Sequence, residues 1–240
     1  MTPAARASLA EERPAGRGDA KTAASGLSAR LEAVARVRLL GCDLSDFAAR
    51  VVVGGLFGML TVRLVADFLQ TGRLTGLLLV TSEALVVILT VVRRPAAAVD
   101  RTWLARSVTA ASILGPPLLR PAAVGIVPDH VTATVSACAL TFIVAAKVSL
   151  GRSFGVVPAN RGVVHSGLYR LVRHPIYLGY IVTHVAFVLA NLTAWNVTVV
   201  ALSDAALVVR SLLEERTLEG DERYIAYRAE VRWRLVPGVF

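Results

Sequence analysis

Six apolar stretches, each near the length a helix needs to cross a bilayer, are separated by loops that hold nearly all the charge. They run over about 51 to 70, 74 to 92, 104 to 121, 131 to 150, 176 to 194 and 196 to 213. A hydrocarbon core about 30 Å thick needs roughly 20 residues of helix, because backbone polar groups in lipid must be paired within the segment. This pattern predicts an all-α, polytopic membrane protein with about six transmembrane helices. The third stretch is the weakest, since Gly115-Pro116-Pro117 interrupts its hydrogen-bond ladder, so the count is five to six. In the first stretch Arg63 and Asp67 stand four apart. They share a helix face and read as a structural ion pair.

The formal net charge is +9, and all but two of the 26 basic residues, Lys21 and Lys147, are arginine. The arginines gather in alternate loops. The tail before the first span, the loop with Arg93, Arg94, Arg101 and Arg106, the loop from Lys147 to Arg173 and the final segment are basic, whereas Asn191 to Asn196 carries no charge. Basic loops stay cytosolic, which predicts both termini on the cytosolic side. Charge placed this way points to topology and anionic headgroups, and no nucleic-acid-binding motif accompanies it. The two cysteines, Cys42 and Cys138, have neither a CxxC pattern nor a His partner at ligand spacing, so no disulfide scaffold and no metal site are expected. The arginine- and alanine-rich composition points to a GC-rich bacterium and its inner membrane.

Three parts follow. Residues 1 to 50 form a cytosolic segment, its first 28 or so residues disordered and the remainder either an amphipathic surface helix or a poorly ordered leader. Residues 51 to 146 are helical scaffold. Residues 147 to 240 concentrate charge, aromatics and turn residues on one side of the membrane, and such density in loops reads as function.

Two clusters stand out in that last part. The first is GLYRLVRHPIYLGY from Gly167. Pro175 suits the first turn of a helix and holds His174 extended, leaving Arg173 and His174 just ahead of the fifth span. Free N–H groups at that helix start suit an anion. The second cluster is RSLLEERTLEGDERYIAYRAEVRWRLVPGVF from Arg210. Arg210 and Glu214 share a face near the cytosolic end of the sixth span, where an arginine needs an anionic partner, either Glu214 itself or a ligand. Tyr224 and Tyr227 follow on a cytosolic amphipathic helix that Val236-Pro237-Gly238 is expected to end.

The run G-x-Y-x-x-x-R-H-P-x-Y-x-G from Gly167 to Gly179, then R-x-x-x-E-E at Arg210 to Glu215, Tyr224-x-x-Tyr227 and the ending from Val231 to Phe240 together resemble the isoprenylcysteine carboxyl methyltransferase family and its phospholipid-methyltransferase relatives. The likeness covers about residues 147 to 240, in the family's order. It implies a membrane enzyme that uses S-adenosylmethionine to methylate a lipid or lipidated acceptor, most like a protein-S-isoprenylcysteine carboxyl O-methyltransferase. By position, it implies cofactor-binding roles for Arg161, Gly162, Val163, Val164, Tyr169, His174, Pro175, Ile176, Tyr177 and Glu214. It implies a substrate role for Arg210, and a helix hairpin from the last two spans. The segment between Glu215 and Tyr224 is shorter than in eukaryotic members, which leaves the substrate entrance open.

The chemistry suits these residue types. Displacement at a sulfonium methyl needs alignment and exclusion of water more than acid or base groups. A carboxylate acceptor is already ionised, and Arg210 would hold it by a two-pronged bond. An amine or thiol, as in phospholipid N- or small-thiol S-methylation, needs a base, for which His174 and Tyr224 are the candidates. His174 reads equally well as a structural residue bonded to a neighbouring carbonyl. His165 falls in a turn and His184 inside the fifth span, where a histidine packed across helices is the common case. A reductase binding NADPH, like membrane sterol reductases, and a non-enzymatic membrane protein are the competing readings.

Overall fold

The computed structural model describes residues 51–240 apart from 53, 63–64, 67–68, 70–73 and 123–124. The expectations for the N-terminal segment and for Arg63 with Asp67 lie outside the described residues. Helical backbone covers 54–62 of the first stretch. After it come α1 (Leu74–Val92), α2 (Trp103–Leu114), α3 (Asp129–Leu150), α4 (Pro175–Ala190), α5 (Ala194–Leu218) and α6 (Glu222–Glu230). The described chain is mostly helical. A two-residue antiparallel pair, β1 (Ala98–Val99) with β2 (Ala159–Asn160), ties the loop before α2 to the loop before α4.

α3 and α5 are long and apolar enough to cross a bilayer, while Leu78–Val92 and Pro175–Ala190 are shorter apolar helices. Side-chain placement is inside out. Ile88, Val148, Val185 and Leu202 are exposed, at 54%, 62%, 46% and 66%, whereas Glu83, Lys147, His184, Ser203 and Arg210 on the same helices are buried. Water would favour the reverse; a lipid surround explains it, because polar groups then find partners only in the bundle interior. Lys147, grouped by sequence with the loop charges, is instead fully buried on α3 and donates to the carbonyl and hydroxyl of Ser82 at 3.0 and 2.8 Å.

The helices pack in the order α1, α3, α4, α5, α2. Gly179 allows the α3–α4 approach, since a Cβ there would strike the buried side chain of Ile143. The third expected span is helical only over Trp103–Leu114, about 18 Å at 1.5 Å per residue, too short to cross alone. Its end at Gly115 packs against Ser203 of α5, and the prolines then form a 3-10 turn, Pro116–Leu118. Beyond it, Asn196 pins the chain to the α4–α5 hairpin. Its side chain accepts from Arg120 N at 3.0 Å and donates to the carbonyls of Arg120 and Asn191, both at 2.8 Å.

α6 ends at Glu230, earlier than the Pro237-Gly238 signal suggests. The tail after it serves as a hydrogen-bond partner: the carbonyls of Trp233 and Arg234 accept from the backbone N–H groups of Arg173 and His174, both at 2.9 Å. A helical tail would have used those carbonyls internally. At its start, α6 is capped by Asp221, which accepts from Arg223 N at 3.0 Å and from the amide of Asn160 at 3.0 Å. The Asn160 bond leads the causes that hold this carboxyl below its usual range. The sign follows: the cap's contribution is present above the unfolded value near pH 4 and fades as pH falls through the lower folded value. Asp221→Ala is expected to lower stability by about 1 kcal/mol near neutral pH, with a smaller difference from wild type in thermal unfolding at pH 3.

Candidate active site

A cavity of about 440 Å³ opens where α4 and α5 meet the loops on either side of them. Of the residues singled out by sequence, Arg161, Gly162, Val163, Val164, Tyr169, His174, Ile176, Tyr177, Arg210 and Glu214 all line it, and Pro175 lies buried at the helix start beside them without lining it. His165 is exposed in its loop, away from the cavity lining.

Local structure explains the convergence. Pro175 starts α4 with His174 as its first flanking residue, which turns the stripe His174, Tyr177, Tyr180 and His184, at helical spacing, toward the cavity. His174 stacks parallel on Tyr177 at 5.3 Å between ring centroids, and Tyr180 and His184 stack at 6.3 Å. Across from them on α5, Glu214 accepts the Tyr177 hydroxyl at 2.6 Å. Arg210 lies over the Tyr177 ring, 5.2 Å from its centroid. Arg210 and Glu214, four apart on α5, form no ion pair with each other among the described residues. Arg210 donates instead to the carbonyls of Val156 and Gly155 and to Ser112, and its buried Nε has no hydrogen-bond partner. Among the described residues the arginine is thus held by neutral groups, with no carboxylate in ion-pair range.

Glu215 is the residue whose part sequence reasoning missed. Only 3% exposed, it receives Arg173 at 2.8 Å, Arg234 at 2.8 Å and His174 Nε2 at 3.1 Å. Arg173 also donates to the carbonyls of Val231 and Arg232. One carboxylate therefore locks the start of α4, the end of α5 and the tail together, and His174 is pinned by it rather than by a neighbouring carbonyl. A pair of adjacent acids ahead of an arginine-rich tail was the available signal.

The tyrosines make the wall aromatic and hold their protons. Tyr169, Tyr224 and Tyr227 pack as one cluster, with the Tyr227 hydroxyl donating to the Tyr169 carbonyl at 2.7 Å. Burial, the leading cause for all three, pushes each phenol well above its usual range. Tyr224 is consequently a poor base at neutral pH. No group of three or more potential metal ligands occurs among the described residues.

Other polar contacts lie deeper and carry no obvious sequence motif. His184 Nδ1 meets Asp204 of α5 at 2.6 Å, and Glu83 of α1 lines the same cavity. The cavity's apolar walls come partly from outside the C-terminal part, including Phe57, Leu60, Leu79, Ile113 and Leu119.

No curated protein matches the chain closely enough to be counted as similar. Among family models, that of the isoprenylcysteine carboxyl methyltransferase (ICMT) family matches residues 131–224, which span α3 through the first turn of α6 and carry both Arg173-His174-Pro175 and Arg210 to Glu215. The family is one of membrane-embedded methyltransferases that use S-adenosylmethionine. Residues 131–224 of this chain are an ICMT-family domain.

Proposed function

We propose that this chain transfers a methyl group from S-adenosylmethionine to the carboxylate of a lipophilic acceptor, at a site on the cytosolic face of a membrane it crosses five or six times. One observation carries the reading: an arginine with an unused Nε, a carboxylate and a set of tyrosine rings face one cavity that runs from polar loops into apolar helices.

The residues present fit the cofactor. Glu214 offers a carboxylate to its positive groups, and the faces of Tyr169, Tyr177 and Tyr224 suit a sulfonium. The start of α4 offers the backbone N–H groups of Ile176 and Tyr177 to its carboxylate. Bound there, S-adenosylmethionine supplies an electrophilic methyl on a positively charged sulfur. The chain's own work is placement. Arg210, braced by two carbonyls and Ser112, presents its remaining N–H edge to an acceptor carboxylate. Glu215 fixes His174, and through it the height of Tyr177 over Glu214. Opposite charges disappear as the methyl moves, so the buried, aromatic surround favours transfer.

A carboxylate acceptor needs no base, whereas an amine or thiol would need Tyr224, whose phenol holds its proton, or His174, whose Nε2 is engaged by Glu215. The test is incubation of the purified full chain in nanodiscs with methyl-labelled S-adenosylmethionine and a bacterial membrane extract. Label is expected in a lipid-soluble product and is released as methanol by mild base, the behaviour of a methyl ester. Label that resists base reassigns the acceptor to nitrogen or sulfur. Absence of label together with binding of NADPH overturns the methyltransferase reading.

A further inference from the structure

The deep end of the cavity is not built for a plain hydrocarbon. A pocket that received only an acyl or prenyl chain would be apolar throughout, yet this one also presents Glu83 and, about two helical turns along α4 from Tyr177, His184. Tyr177, Tyr180 and His184 lie on one face of α4 at i, i+3 and i+7, so His184 sits roughly 10 Å deeper than Tyr177 at 1.5 Å per residue.

His184 is held in a defined orientation. Its Nδ1 lies 2.6 Å from an Asp204 oxygen, and a carboxylate only accepts, so Nδ1 carries a proton and donates it. The ring's other nitrogen, Nε2, is left for an occupant, on a side chain that lines the cavity. Glu83 adds a carboxyl group to the same cavity. It forms no ion pair among the described residues, and its one hydrogen bond there is a long one, 3.5 Å, from Ser82. Buried Lys147 balances the charge from behind. Its ammonium bonds Ser82 and faces the Tyr180 ring at 5.5 Å, without lining the cavity. Charged groups within a span require such a partner or a ligand.

A ring nitrogen and a carboxyl group with a cation already in place behind them call for an uncharged partner that can both donate and accept, as a hydroxyl does. We infer that the His184–Asp204 pair and Glu83 form a second subsite that binds a hydroxyl group on the acceptor's lipid chain, about 10 Å from the methyl-accepting atom. The inference rests on the methyltransferase reading for the position of that atom, and it specifies the acceptor as a hydroxylated lipid acid in place of an unsubstituted one.

Equilibrium dialysis of labelled octadecanoate, with and without a hydroxyl on its tenth carbon, against the full chain in nanodiscs tests this, with empty nanodiscs as the partition control. Wild type is expected to bind the hydroxylated probe about tenfold more tightly, the worth of one well-made hydrogen bond. His184→Phe and Asp204→Leu, checked for folding by thermal unfolding, are expected to bring that ratio close to one. Equal binding of the two probes by wild type, which needs no variant to fold, overturns the inference, as does a preference that survives in folded His184→Phe. Dialysis needs no methyl donor, so the two readings fail separately: preference without methyl transfer sinks the methylation proposal alone, and transfer without preference sinks the subsite alone.

Discussion

Glu214→Gln is expected to remove at least 99% of methyl-transfer activity, about a hundredfold, while leaving the thermal unfolding temperature within a few degrees of wild type. Glutamine keeps the shape of the side chain and an oxygen for the Tyr177 hydroxyl, now 2.6 Å from the carboxylate. What it loses is charge. A unit charge 4 Å from a cation is worth about 4 kcal/mol at an effective dielectric of 20, and part of that is recovered by the amide's dipole. A remaining deficit near 2.7 kcal/mol corresponds to that hundredfold. The loss belongs in binding of the cofactor, so titration of S-adenosylmethionine into the variant is the direct measurement. Affinity within threefold of wild type would show that Glu214 does not answer the cofactor's charge.

Its neighbour is expected to behave in the opposite way. Glu215→Ala leaves Arg173 buried with no carboxylate and strips Arg234 and His174 of the same partner. Breaking a buried pair by removing one member typically costs about 3–5 kcal/mol, because the other charge stays behind. Against a total stability of roughly 5–15 kcal/mol, that is enough to unfasten the tail from the start of α4. The expected readout is a large fall in unfolding temperature and rapid proteolysis after Val231, with cofactor binding lost only as a result. Consecutive residues on a helix point about 100° apart, which is how adjacent glutamates take such different parts: Glu214 faces the cavity and Glu215 the tail. If Glu215→Ala unfolds normally and Glu214→Gln does not, the two roles are interchanged.

How much of this was readable in advance differs by element. α1 begins and ends at the expected Leu74 and Val92, and the hairpin of α4 and α5 falls where the apolar runs lie, because backbone pairing leaves such segments few alternatives. The loop cluster was legible since Arg173, His174 and Pro175 cannot be explained as packing. The inward stripe of Glu83, Lys147, His184 and Asp204 was not. In a helix apolar all round, no periodicity marks which side meets its neighbours, and single polar residues look incidental. The end of α6 was misplaced for another reason. Pro237 and Gly238 are genuine stop signals, but the backbone N–H groups of Arg173 and His174 recruit the carbonyls of Trp233 and Arg234 into extended chain well before them. Local chemistry was overruled by a contact sixty residues away in sequence.

The walls of the cavity divide by origin. Groups suited to the methyl donor come from the ICMT-family domain, whereas Phe57, Leu60, Leu79, Glu83, Ile113 and Leu119 reach in from ahead of it. Arg210, His184 and Asp204 lie inside that domain too, so what comes from ahead of it is mainly Glu83 and part of the apolar wall. A lineage could reshape that apolar wall by drift in its first half while the polar contacts of the site stayed untouched, and chimaeras joined near residue 130 would be the laboratory version of that history.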